Sequence, residues 1–190
     1  MRPNLVNHWH TFDSVHLRNT HLPFLIAYHD RKMEATPLHT HLGLEVHYCL
    51  AGRGRFVANG RVFDVSSRTL TVLNPLYAHR VELVNGKDPY ERYALHILPE
   101  RLGFSLTDGF AHFLQPWIPW ALKDALWQVQ VDDVFHRALV DLFAKMETAA
   151  SAQAYGRACS LVQSLFELIG FLHETQSRSV SASWVLARQI

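Results

Sequence analysis

No run of about eighteen uninterrupted apolar residues occurs in this sequence, so no helix long enough to cross a bilayer is expected. The opening residues, Met1-Arg2-Pro3-Asn4, lead into no apolar stretch, and a secretory signal is not expected either. Cysteine is scarce. Cys49 and Cys159 are the only two, they stand far apart, and they follow no metal or redox spacing. They read as two buried thiols in a reducing compartment. An excess of either charge is also missing: 18 Lys and Arg against 17 Asp and Glu leave a net charge of +1. Such a chain exerts no general electrostatic pull on nucleic acid, so a DNA-reading surface would have to lie outside these residues. A cytoplasmic protein without a membrane partner is the expectation.

What is present is an ordinary globular composition, 48% hydrophobic and 18% charged, in 190 residues. That length suits one sizeable domain, or one domain with an appendage. Histidine is abundant, with 13 copies. His8, His10, His16, His21 and His29 are scattered without ligand spacing and read as solvated or satisfied polar residues. The group Pro37-Leu38-His39-Thr40-His41-Leu42-Gly43-Leu44-Glu45, followed by Gly52 and answered by Pro75 and His79, is different. Strand side chains alternate between faces with period two, so an extended chain would aim His39, His41 and Glu45 at one point. Gly43, on that face, has no side chain to block it. Three imidazoles and one carboxylate suit a borderline divalent metal: zinc, iron, nickel, copper or manganese.

Around this group the chain reads as short strands punctuated by turns, the pattern of a sandwich or barrel. Pro23–His29 is the first strand, Leu44–Leu50 the second, and Ala51-Gly52-Arg53-Gly54 a turn. Arg55–Ala58 and Arg61–Val65 flank Asn59-Gly60, a dipeptide suited to a tight type I′ hairpin. Arg53, Arg55 and Arg61 around it read as a solvated edge that discourages aggregation. Thr69–Leu73, Arg80–Val84 and Tyr90–Leu98 complete the strands, and Pro99 closes the β region.

The period then changes. Leu106–Leu114 suggests a short helix, and Pro116–Trp120 an irregular aromatic segment. Asp132 is a plausible N-cap, followed by Phe135, Leu139, Leu142, Phe143 and Met146 at helical spacing. Ala152–His173 repeats that spacing, and an Ala-Ala-Ser link makes the two an antiparallel hairpin. Their apolar stripes can cover the β body, mediate self-association, or both. Ser177–Ser183 is polar and serine-rich, which reads as a linker.

His39, His41, Glu45 and Gly52 spell His-x-His-x3-Glu-x6-Gly, which resembles the first motif of the cupin superfamily. The second cupin motif, Pro-x-Gly-x2-His-x3-Asn, has a weaker counterpart in Pro75-Leu76-Tyr77-Ala78-His79. Tyr77 replaces the glycine, the loop is one residue shorter, and Leu83 takes the asparagine place. Together with Leu-x-x-Leu-Asn-Pro-x-x-x-His and Tyr-x-Arg-Tyr-x-Leu-His-Ile, the pattern resembles the N-terminal effector-binding domain of AraC-type bacterial transcription regulators. In that family the shorter loop is usual. The likeness covers roughly residues 20 to 175.

The resemblance implies a mainly β fold, a cupin double-stranded β-helix (jelly roll) followed by a C-terminal antiparallel helical hairpin. Residues 1–22 would be an N-terminal arm, 23–100 the barrel, 101–175 the helical region with its dimerisation hairpin, and 176–190 a linker toward a helix-turn-helix DNA-binding half absent from this chain. It implies a metal held by His39, His41, Glu45 and His79, with zinc, nickel, iron or manganese as the cofactor. It also implies a small-molecule effector, a homodimer and a role in transcription regulation. His47, sharing parity with Glu45, and His96, in the last strand, are candidates for the effector pocket, although a satisfied core histidine is the alternative for each. Tyr77 is a third candidate, at the barrel mouth. The competing expectation is a metal-dependent cupin enzyme of the dioxygenase, isomerase or decarboxylase class. No serine–histidine or paired-carboxylate arrangement stands out, so no catalytic residue is assigned.

Overall fold

The computed structural model describes residues 21–29, 37–41, 43–75, 77–84, 90–102 and 124–187. Seven strands occur among them: β1 (Phe24–His29), β2 (Leu44–Ala58), β3 (Arg61–Ser66), β4 (Thr69–Leu73), β5 (His79–Leu83), β6 (Tyr90–Ile97) and β7 (Leu126–Gln130). A 3-10 turn, Pro99–Leu102, follows β6, and two helices end the described chain, α1 (Asp133–Ser151) and α2 (Tyr155–Ala187). The short helix expected at Leu106–Leu114, the Pro116–Trp120 segment and nearly all of the 1–22 arm lie outside the described residues.

β2 organises the fold because it belongs to two sheets. Its first half pairs with β4 and β6 in a sheet ordered β1-β6-β2-β4-β7, and its second half pairs with β3 and β5. The stretch Ala51–Gly54, expected as a turn between two strands, is instead the corner of one strand. A register shift between Cys49 and Ala51 and a left-handed Gly52, φ +88°, bend the strand without ending it. A bulge with a glycine does this at low steric cost. Gly54 is small for another reason: a Cβ there would stand 3.0 Å from the Tyr90 ring. The Asn59-Gly60 hairpin is present, with both residues at positive φ, as a type I′ turn requires.

The two faces of the five-stranded sheet differ. Leu44, Val46 and Tyr48 of β2, Tyr93, Leu95 and Ile97 of β6, and Leu70 and Val72 of β4 pack against Leu139, Phe143, Met146, Leu165 and Ile169 of the helices. Each such buried side chain stabilises the fold by roughly 1.5–3 kcal/mol relative to exposure. The alternate residues turn inward, toward a second, smaller cluster that includes Phe56, Val81 and Tyr90. β7 was not expected from the sequence, because a five-residue strand beyond a change of period gives little local signal. It pairs with β4 from Thr69↔Gln130 to Leu73↔Leu126.

The helices form as the spacing implies. Asp132 caps α1, its carboxylate accepting from the Val134 and Phe135 amides, worth about 1 kcal/mol. α1 runs through Ser151, so the link is Ala152–Ala154 rather than Ala-Ala-Ser, with Gln153 left-handed at φ +52°. The Ser177–Ser183 linker expectation is corrected: the backbone is helical through Ala187. Residues 177–187 contain no glycine or proline, and serine sits mid-scale in helix propensity, so nothing local stops the helix.

Candidate functional site

His39 and His41 do not lie in a regular strand; β2 begins only at Leu44. Their side chains converge by another route. His39 and His79 form an isolated antiparallel bridge, the His39 amide donating to the His79 carbonyl (3.0 Å) and the His79 amide to the His39 carbonyl (2.9 Å). That bridge fastens the segment carrying the first motif to the strand carrying the second. Gly43 is needed for close packing against β6 rather than for an open site: a Cβ there would lie 3.0 Å from the Ile97 carbonyl oxygen.

The four sequence-assigned ligands come together. One nitrogen from each of His39, His41 and His79 and one Glu45 oxygen all lie within 4.8 Å of one another. Glu45 is buried, and its Oε2 stands 3.0 Å from His41 Nε2 and 2.9 Å from His79 Nε2. His47 and His96 approach the other oxygen: His47 Nε2 is 2.5 Å and His96 Nε2 is 3.2 Å from Oε1. The carboxylate is thus the hub of four imidazoles, with His39 at the outer rim.

Backbone carbonyls fix three of these rings. Nδ1 of His39 donates to the Pro37 carbonyl (2.8 Å), Nδ1 of His41 to that of Gly43 (2.9 Å), and Nδ1 of His79 to that of Tyr77 (3.0 Å). With Nδ1 carrying the proton, the neutral ring presents a bare lone pair at Nε2. For His41 and His79 that lone pair faces a carboxylate oxygen, an arrangement stable only with a cation between them, either a proton or a metal ion. The donor set therefore fits a divalent transition metal.

The electrostatics follow from burial and proximity. Burial pushes the Glu45 carboxyl up, but the nearby His96 and His47 and hydrogen bonds from His41 and His47 outweigh it and hold it well below its usual range. Burial lowers His47, and lowers His96 to about 4, against the opposing pull of Glu45. His79 moves the other way: burial lowers it, yet its hydrogen bond to Glu45 and that carboxylate's charge raise it on balance.

Tyr77, the third pocket candidate, is half-buried against the inner apolar cluster, and its carbonyl orients His79. The arginine expectation is met in part: Arg55 pairs with Asp64 at 2.9 Å, and Arg61 lies over the Phe63 ring. Sequence reading missed Arg92, a residue only 2% exposed on the inner face of β6. Parity offered the signal, since Arg92, Ala94 and His96 alternate on one face.

This two-sheet barrel with a helical hairpin on one face, and a histidine–glutamate cluster inside, defines a cupin-type domain. Residues 23–179 match the family of AraC-like ligand binding domains, and the chain belongs to that family. Among solved structures it resembles apo ToxT K231A from Vibrio cholerae strain SCE256, at 12% identity and a TM-score of 0.55, covering 84% of this chain and 58% of that one. It also resembles ToxT from Vibrio cholerae O395 bound to (E)-4-(8-methylnaphthalen-1-yl)but-3-enoic acid, at 9% identity and a TM-score of 0.51, covering 80% and 57%. A cupin 2 conserved barrel domain protein from Salinispora arenicola CNS-205 matches at 17% identity and a TM-score of 0.39, covering 45% and 71%. The chain spans a little over half the length of the ToxT chains it matches. No curated protein matches it.

Proposed function

We propose that this chain is the metal-binding, effector-sensing domain of an AraC-type transcription regulator, working through a DNA-binding half carried elsewhere in the longer protein. The observation that carries the metal is the facing of two carbonyl-fixed histidines, His41 and His79, onto one Glu45 oxygen. His39, His41, Glu45 and His79 would hold the ion, and His47 and His96 would border the effector. When bound, the metal supplies a Lewis-acidic coordination point for an oxygen or nitrogen of the effector.

A sensor needs a route outward, and β2 offers one. Glu45 and His47 on its inner face belong to the site, while Tyr48, between them and the corner, faces α1. The Tyr48 hydroxyl is 2.6 Å from His136 Nδ1, and Tyr48 and Tyr93 both stack on Phe143. A shift of β2 on binding reaches α1 directly. The ToxT structure with a bound butenoic acid supports small-molecule binding as the role of this fold. The helical pair would carry a homodimer contact, since Val134 and Phe171 leave apolar surface exposed there.

The test is amide hydrogen exchange with metal added and then chelated. Changed protection in both β2 and α1 is expected. A change confined to the ligand residues overturns the sensing role.

A further inference from the structure

Strand register lays out the inner face of the five-stranded sheet as three rows. The first runs Leu126, Leu73, Glu45, His96, Leu25 and belongs to the metal cluster. The next runs Gln128, Thr71, His47, Ala94, Ala27, and in the third Cys49 pairs with Arg92 and Arg92 with His29. Beside His47, therefore, the smallest side chains of the face, Ala94 and Ala27, stand together. They form a floor between His96 on one side and Arg92 on the other.

Two buried polar atoms along this inner face have no hydrogen-bond partner among the described residues: His47 Nδ1 beside the floor, and the Tyr90 hydroxyl one row beyond Arg92. An orphaned buried polar atom costs about 1–3 kcal/mol, so such atoms mark a place where another molecule completes the bonding. His47 Nε2 is committed to Glu45 at 2.5 Å and donates its proton there. The neutral ring then has an acceptor at Nδ1, which calls for an O–H or N–H donor. Tyr90 offers a hydroxyl donor, and the Arg92 guanidinium, 4.8 Å over the Tyr90 ring, brings a buried positive charge to the same end. Arg92 also donates to the Tyr90 carbonyl at 3.4 Å, and an oxyanion suits the donors gathered at this end.

Resting on the sensor reading above, we propose that the effector is a small hydroxycarboxylate, seated over Ala94 and Ala27, with its hydroxyl donating to His47 Nδ1 and its carboxylate facing Arg92 and Tyr90. Arg92 is two residues from Ala94, His47's partner, about 6.7 Å along the strand, so the hydroxyl and the carboxylate stand at opposite ends of the molecule.

Calorimetric titration of the full chain, after elemental analysis has confirmed bound metal, tests this with matched probes. These are 3-hydroxybenzoate against benzoate and 3-hydroxybenzamide, and 3-hydroxybutyrate against butyrate. In at least one series the hydroxy acid should bind about tenfold or more tighter than its deoxy partner, and 3-hydroxybenzoate likewise tighter than its amide, the effect of one good buried polar contact. His47→Phe should erase the hydroxyl preference and keep the acid preference, while Arg92→Gln does the reverse, with circular dichroism checking the fold of each. If either variant fails to fold, the probe series on the unmodified chain still decides. Equal binding of deoxy or amide partners, or no binding by any probe to metal-loaded protein, overturns the effector assignment and leaves the sensor reading standing. A chain that takes up no metal overturns both, and the elemental analysis shows that first.

Discussion

His79 Nε2 lies 2.9 Å from Glu45 Oε2 across 34 residues of sequence, joining the two halves of the metal motif in one hydrogen bond. The His39–His79 backbone bridge holds the pair in register. If the cluster is a metal site, removing either member should cost more than neighbouring substitutions do. Outer-shell changes typically cost about 10–100-fold in metal affinity. Glu45→Gln and His79→Ala are each expected to exceed ~100-fold, with His47→Gln inside the lower range. Competition with a chromophoric chelator measures all three. Equal, small losses would show that the ion is held elsewhere.

In metal-free protein, stability should rise between pH 4 and 6.5. His96 has a folded pKa of about 4 against an ordinary 6.5, so in that window the unfolded chain binds more protons and acid favours unfolding. The contribution is about 3 kcal/mol at most. His47, also lowered, acts in the same direction. Glu45, held well below its ordinary value, adds stability that is lost only as pH falls through its lowered folded value. His79 is raised, so its share is complete below 6.5 and fades above. Urea titrations with a chelator present, from pH 7 to 4, read the slope, and His96→Leu should flatten it. A pH-independent midpoint would contradict this description of the cluster.

Gly43→Ala should destabilise the protein by about 1–3 kcal/mol, the usual cost of forcing extra volume into a packed place. The added Cβ meets the Ile97 carbonyl, part of the backbone of β6, and cannot simply be turned aside. Because His41 donates to the Gly43 carbonyl, metal affinity should fall as well. Thermal unfolding with and without zinc separates the two effects. An unaltered melting temperature would show that β6 yields freely.

The helical pair offers a further test. Charges at Leu161 and Leu165 suggest themselves from the sequence as a way to break a homodimer, but Leu165 is fully buried against the sheet and a charge there attacks the core. Val134 and Phe171, 63% and 54% exposed, are the proper positions. Val134→Lys with Phe171→Glu should give a folded monomer in sedimentation analysis. A folded dimer would place the self-association surface elsewhere.

Much of this was legible in the sequence, and for physical reasons. Period-two alternation and turn residues placed β1, β3, β4, β5 and β6 within about a residue at each end, and Asp132 announced α1. The convergence of His39, His41, Glu45 and His79 was readable because all four are ligand-type residues at a restricted spacing. The errors came where long-range contacts overrule local signals. Gly52 bends a continuous β2 instead of ending it, β7 exists only because β4 offers an edge, and serines in α2 follow the helix already begun. Arg92 was signalled by its parity with His96, whereas the floor beside His47 emerges only from register, which joins residues tens of positions apart.

Elemental analysis of protein purified without a chelating column tests the central claim most directly. About one zinc, nickel, iron or manganese ion per chain is expected, falling in the Glu45→Gln variant. Protein that emerges metal-free, and takes up none of these ions on titration, would contradict a metal centre at His39, His41, Glu45 and His79.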